Sequence, residues 1–222
     1  MTSTSFVPSD HPRATDGKFS QKTGAAAEIS LGESPAEPAS KAGDFARAEN
    51  PQELYDTFVG LTSPENLYMD GMVSQQDAER RYARYAAGYA TRSAELADDN
   101  NYDEAVSQSI AVMQGAGRRT DIGNGTSVQY ANSAGRGSSA AMFRGGTPSI
   151  EAGGTETVLV YGTKGGVLTV PEGSDPTIII DKSARIRVNV EPGASARIVS
   201  ASPHTELTGE TSNASFVGKS AS

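Results

Sequence analysis

Residues 151–200 read EAGGTETVLV YGTKGGVLTV PEGSDPTIII DKSARIRVNV EPGASARIVS, and in this ten-residue spacing the apolar positions fall into columns. Val158 and Val160 stand above Leu168 and Val170, then Ile178 and Ile180, Val188 and Val190, and Ile198. Turn-forming stretches separate the pairs: Tyr161 to Gly166, Pro171 to Pro176, Asp181 to Ser183, and Glu191 to Ser195. Strands and turns of about five residues each make two-strand coils of about twenty, the signature of a repetitive β-architecture. The favoured reading is a short β-solenoid, or β-helix, in which the inward residues of each coil stack on the coil before it. An antiparallel β-sandwich or meander is the alternative built from the same strands.

Period-two alternation is clearest in Arg185-Ile186-Arg187-Val188-Asn189-Val190, which points Ile186, Val188 and Val190 inward and the other three to solvent. A charge at Val188 or Ile178 should therefore disrupt the fold, and Arg187→Ala should be nearly silent. Ile178-Ile179-Ile180 is apolar on both faces, which calls for a covering element. Solenoid ends expose strand edges and need caps. The expected caps are the helices described next at one end and the tail Thr205–Ser222 at the other, with assembly into a homo-oligomer, such as a trimer, as a further way to cover exposed faces.

Upstream, residues 49–114 read as a small helical region. Asn50, Pro51 and Glu53 form a capping-box-like start for a helix carrying Leu54, Tyr55, Phe58 and Val59, and a short turn of helix follows from Ser63 to about Gly71. Ser74 and Asp77 cap a long helix to about Ala97, with Tyr82, Tyr85 and Tyr89 on one face and Arg80, Arg81, Arg84 and Arg92 beside it. A Tyr/Arg stripe can stack nucleobases, but the packing face of a helical hairpin is the favoured reading. A last helix runs from about Asp103 to Gln114. The Asp99/Asn101/Asp103 alternation fails as a calcium loop, with Glu104 in place of Gly and Ile110 in place of the bidentate Glu. Residues 115–146 read as a Gly/Ser-rich connector without a phosphate-loop pattern, whose Ser127–Ala131 and Ala140–Phe143 could already be strands of the β-domain at 147–222.

Residues 1–48 read as a disordered tail rich in Ser, Ala, Pro and Glu without hydrophobic period. Within it, Asp10-His11-Pro12-Arg13-Ala14-Thr15-Asp16-Gly17-Lys18-Phe19-Ser20-Gln21-Lys22 groups basic and aromatic side chains around an Asp-Gly turn, so His11, Arg13, Lys18, Phe19 and Lys22 are candidate partner-binding residues. With Glu28-Ile29-Ser30-Leu31 this stretch resembles an N-terminal signature of small accessory proteins of actinobacterial phages, prophages and plasmids. About twenty residues carry the resemblance. It implies a mobile-element context and a shared docking peptide, and brings no catalytic residues.

Composition narrows the chemistry. The absence of Cys excludes disulfides, thiolate nucleophiles and Cys-ligated metals. A net charge of −8 argues against general nucleic-acid binding. No stretch is apolar enough for a membrane span, and Met1 to Phe6 lacks the basic and apolar regions of a secretory signal. No cofactor or metal is expected, since His11 and His204 stand far apart without matched acids, His204 reading as a turn residue.

The α+β chain thus reads as a non-catalytic structural or interaction protein of a phage or mobile element, binding a phage or host protein in the cytoplasm or within a virion. The alternative is a carbohydrate lyase or hydrolase on a β-helix, with Glu172, Asp175, Asp181 and Glu191 as paired carboxylates and Lys164 or Lys182 as bases. All of these fall in turns, where rigid positioning is harder than on a strand.

Overall fold

The computed structural model describes residues 43–68, 73–131, 140–153 and 157–221. The expected docking residues His11, Arg13, Lys18, Phe19 and Lys22 lie outside them, as do Asp70-Gly71 at the end of the second helix. Among the described residues five helices come first: α1 (Gly43–Arg47), α2 (Pro51–Leu61), α3 (Pro64–Tyr68), α4 (Gln75–Leu96) and α5 (Tyr102–Gln114). The first of them begins inside the stretch read as tail. Eleven strands follow: β1 (Arg119–Gly123), β2 (Thr126–Ala131), β3 (Ala140–Arg144), β4 (Ser149–Glu151), β5 (Thr157–Tyr161), β6 (Lys164–Val170), β7 (Thr177–Ile180), β8 (Arg185–Val190), β9 (Ala196–Ser200), β10 (Thr205–Gly209) and β11 (Ala214–Gly218). The segment read as a connector therefore supplies three strands.

The repeat is a solenoid. From β3 onward the chain alternates between two sheets, and every neighbouring pair is parallel, as coil-on-coil stacking requires and a meander forbids. One sheet runs β1-β2-β3-β5-β7-β9-β11, with β1 and β2 added antiparallel; the other runs β10-β8-β6-β4. The registers reproduce the sequence columns: Val158 beside Ile178 beside Ile198, and Leu168 beside Val188 beside Leu207. Between the sheets Val158, Val160, Leu168, Val170, Ile178, Ile180, Ile186, Val188, Val190 and Ile198 form one buried cluster.

The covering element for Ile179 is α4. Met142, Leu159, Ile179 and Val199, on the outer face of the first sheet, share a second core with the helices. At 22 residues α4 is about 33 Å long, enough to cross strands spaced about 4.8 Å apart, and it contacts β2, β3, β5, β7 and β9 in turn. Its alanines, including Ala83, Ala86, Ala87, Ala90 and Ala94, are buried; their small size suits a close approach of helix to sheet. The hydroxyls of Thr91 and Thr157 meet at 2.7 Å across this contact.

The helices thus lie along the solenoid's flank and not across its end, packed on the apolar row of Met142, Leu159, Ile179 and Val199. Nor is the C-terminal segment a cap: Thr205–Gly209 and Ala214–Gly218 pair in register with β8 and β9 as the last coil.

The tyrosine stripe packs, as favoured above. Tyr82 and Tyr89 set their rings against Phe58 at centroid distances of 5.7 and 5.1 Å, and Tyr85 meets Phe45 edge-on at 6.4 Å. Both helix starts are capped as read: Glu53 N donates to Asn50 Oδ1 (3.0 Å) and Asp77 N to Ser74 Oγ (3.2 Å).

Burial, and secondarily the nearby Glu104 carboxylate, pushes the Tyr89 hydroxyl pKa up from its ordinary value near 10. The unfolded chain then releases this proton first, so folded stability should fall as pH rises above about 10, by up to about 1.4 kcal/mol per pH unit from this group. Urea titrations of wild type and Tyr89→Phe at successive alkaline pH values check this: the variant, lower throughout for want of the Gln108 hydrogen bond, should show the flatter alkaline decline.

Candidate basic depression on the open sheet

Among the described residues no helix packs extensively on the outer face of the four-stranded sheet, and apart from half-buried Val167 its outward side chains are polar: Lys164, Arg185, Arg187 and Glu206 are exposed, with Thr169, Asn189 and Thr208 beside them half-buried. At one end of this face lies a shallow depression of about 450 Å³, lined by Lys164, Gly165, Gly166, Arg185, Arg187, His204 and Glu206 among others. Three permanent cations and a histidine surround one acid, in a chain whose net charge is −8.

The corners that connect the two sheets position these side chains. Arg185 N donates to Thr163 O and Thr163 Oγ1 returns the bond to Arg185 O, each at 2.9 Å. One coil on, Ser202 Oγ donates to Ala184 O (2.6 Å) and receives His204 N (3.0 Å), while Ser200 and Thr205 hydroxyls meet at 2.9 Å. Thr163, Ser200, Ser202 and Thr205 are buried, so these bonds satisfy hydroxyls that would otherwise be costly to desolvate. They lock the corners in step, and Lys164, Arg185 and His204 emerge side by side.

A β-bulge sets that row. Leu168 pairs with Val188, twenty residues on, but Lys164 pairs with Arg185, twenty-one on, because Gly165 and Gly166 put one extra residue into β6. Thr205 pairs with Ile186, which brings His204 level with Arg185. The resulting cross-strand row is Lys164–Arg185–His204, at a spacing of about 4.8 Å per strand. Gly166 has φ +121°, and a Cβ there would stand 2.3 Å from Pro148 O. Gly166→Ala should thus lower stability by about 1–3 kcal/mol and displace the bulge. Gly165→Ala, which meets nothing nearer than 3.8 Å, should cost less; thermal melts of the two variants make the comparison.

Only Lys164 among the residues weighed for carbohydrate chemistry falls in the depression. Asp181 is buried and used by its own turn, accepting from Ser183 N (2.9 Å) and the Ser183 hydroxyl. Glu191 Oε2 accepts weakly from Glu172 N (3.4 Å) at the opposite corner, where Asp175 also lies. His204 does occupy a turn, as read, and from there reaches the depression. Among the described residues no three His, Asp or Glu side chains converge as metal ligands, and no helix is long and apolar enough to cross a membrane.

In the depression itself, Arg187 Nε donates to Glu206 Oε2 at 3.0 Å, both side chains about half exposed. Lys164 and Arg185 have no ion-pair partner among the described residues. Arrayed cations around bare glycine backbone can seat an anionic group by charge-assisted hydrogen bonds. No family model, curated protein or solved structure matches this chain.

Proposed function

We propose that this chain is a non-catalytic interaction protein of a phage or other mobile element, in which the solenoid is a rigid scaffold for contacts with a phage or host protein. The observation that carries the reading is the unequal use of the two sheets. One outer face is taken up by helices, while the other, among the described residues, is left largely uncovered and mostly polar. The mobile-element context rests on the N-terminal resemblance, whose His11, Arg13, Lys18, Phe19 and Lys22 supply a second contact point. The host cytoplasm is the place of action, with the virion as the alternative; immunoblots of purified particles and of infected-cell lysate tell the two apart.

The test uses full-length protein. A partner isolated from cells carrying the element is purified, recombined with this chain, and the mixture weighed by light scattering. A stoichiometric complex supports the reading. In parallel, the chain is incubated with polygalacturonate, alginate and neutral glucans while reducing ends and unsaturated products are followed. Turnover that scales with protein and falls on substituting Glu172→Gln, Asp181→Asn or Lys164→Ala overturns the reading in favour of the carbohydrate-active alternative.

A further inference from the structure

We infer that the depression at Lys164, Arg185, Arg187 and His204 is a docking site for an acidic peptide segment of a protein partner, held through its side-chain carboxylates. This rests on the interaction reading above and names the chemistry of one contact. Three observations point to it.

The chain supplies its own example of the bound group. Glu206 reaches from β10 to Arg187 Nε at 3.0 Å, showing how a carboxylate sits on this face. Arg185, two residues earlier on the same strand and the same side, offers an equivalent guanidinium without an acid partner among the described residues, and Lys164 stands beside it in register. Guanidinium forks match carboxylates in a planar, two-bond geometry.

The spacing fits an extended chain. Arg185 and Arg187 are separated by one inward residue, so their Cα atoms are about 6.6–6.8 Å apart, the same repeat as alternate side chains of any extended peptide. A segment with acids at alternate positions, lying along β8, presents carboxylates at that interval. The Arg187–Glu206 pair is half exposed, so exchanging Glu206 for an incoming acid loses little.

The floor admits main chain. At Gly165 the strand carries no side chain and a Cβ would meet nothing nearer than 3.8 Å, so another backbone can come close there, while Gly166 is closed over by Pro148; the bulge brings Lys164 level with Arg185. A hydrolytic site would need two carboxylates across the bond it cleaves, and Glu206, engaged by Arg187, is the one acid among the residues lining the depression.

The experiment is fluorescence anisotropy with a labelled synthetic peptide of alternating glutamate and serine, its glutamine counterpart, oligogalacturonate and inorganic phosphate, using the full chain at low and high salt. The glutamate peptide should bind in a salt-sensitive manner and the glutamine peptide should not. Arg185→Glu with Lys164→Glu should weaken binding by about tenfold or more, with an unchanged far-UV spectrum and melting curve; if that pair melts early, Arg185→Gln with Lys164→Gln is read in its place. Equal binding of both peptides, an unaffected double variant, no peptide binding at all, or tighter capture of oligogalacturonate or phosphate than of the glutamate peptide each overturns the assignment. If the glutamate peptide fails while the reconstituted partner still forms its complex, this site is wrong and the interaction reading stands; carbohydrate turnover overturns the reading itself.

Discussion

Val188→Asp should leave the chain without a cooperative unfolding transition, whereas Arg187→Ala, one residue away, should unfold within about 1 kcal/mol of wild type. Val188 is fully buried between the sheets, with Leu168 on one neighbouring strand and Leu207 on the other. Among the described residues no Lys or Arg is buried there to pair with a carboxylate. Leaving an ion there costs several kcal/mol, and substituting Asp also removes about 1.5–3 kcal/mol of apolar burial. The sum, about 5 kcal/mol or more, approaches the whole stability of a typical domain. Arg187 loses only an exposed ion pair. Urea titrations followed by circular dichroism report both; equal losses would mean that the inward and outward faces of β8 are assigned wrongly.

The second large effect belongs to Arg197. Helix α4 ends at Leu96 without a glycine cap; Ala94 O takes only a long bond from Ala97 N (3.4 Å) and Leu96 O one from Asn101 Nδ2 (3.2 Å), so this end has room for further donors. Arg197, reaching from β9, donates Nε to Ala94 O (2.7 Å) and one terminal nitrogen to Ala97 O (2.9 Å) and Glu95 O (3.2 Å). Its charge also sits at the negative end of the helix dipole. Arg197→Ala should cost about 2–3 kcal/mol, and Arg197→Lys should recover part of that, since an ammonium cannot span three carbonyls as the planar fork does. The same titrations measure both, and indistinguishable curves for wild type and Arg197→Ala would show that this end of α4 needs no such cap.

Arg197 also shows what the linear pattern hides. Along the repeat it looks like Arg185 and Arg187, an outward arginine between inward apolar residues. The alternation correctly predicts that it leaves the interior, but not whether the outside is water or a helix. Leu159, Ile179 and Val199 recur on its face at the coil period, and they were the signal that something covers this sheet; only the Ile178–Ile180 run was read that way. The coil length, the inward columns and the caps at Asn50 and Ser74 depend on near neighbours and were legible for that reason. The direction of strand pairing depends on contacts about twenty residues apart, where solenoid and meander share one local pattern.

The basic depression was illegible for a related reason. In ten-residue columns Lys164 falls above Ala184 and His204, with Arg185 one place off. The bulge at Gly165–Gly166 adds one residue on one side of Arg185 and the final coil drops one on the other, so the three side chains align only when both irregularities are known. The two glycines were read as part of a turn, and the structure places them within β6.

A stack of coils joined only to its neighbours can fray from either end, one coil at a time. Helix α4 alters that order of events, because it lies across β3, β5, β7 and β9 together and ties coils that do not touch one another. Losing one of these strands would strip packing from the helix, and losing the helix would bare Leu159, Ile179 and Val199 at once. Amide hydrogen exchange in β5, β7 and β9 should then proceed through a shared opening with a common free energy, not a gradient along the stack. Under tension the coils would hold as a splinted rod and give way in one step.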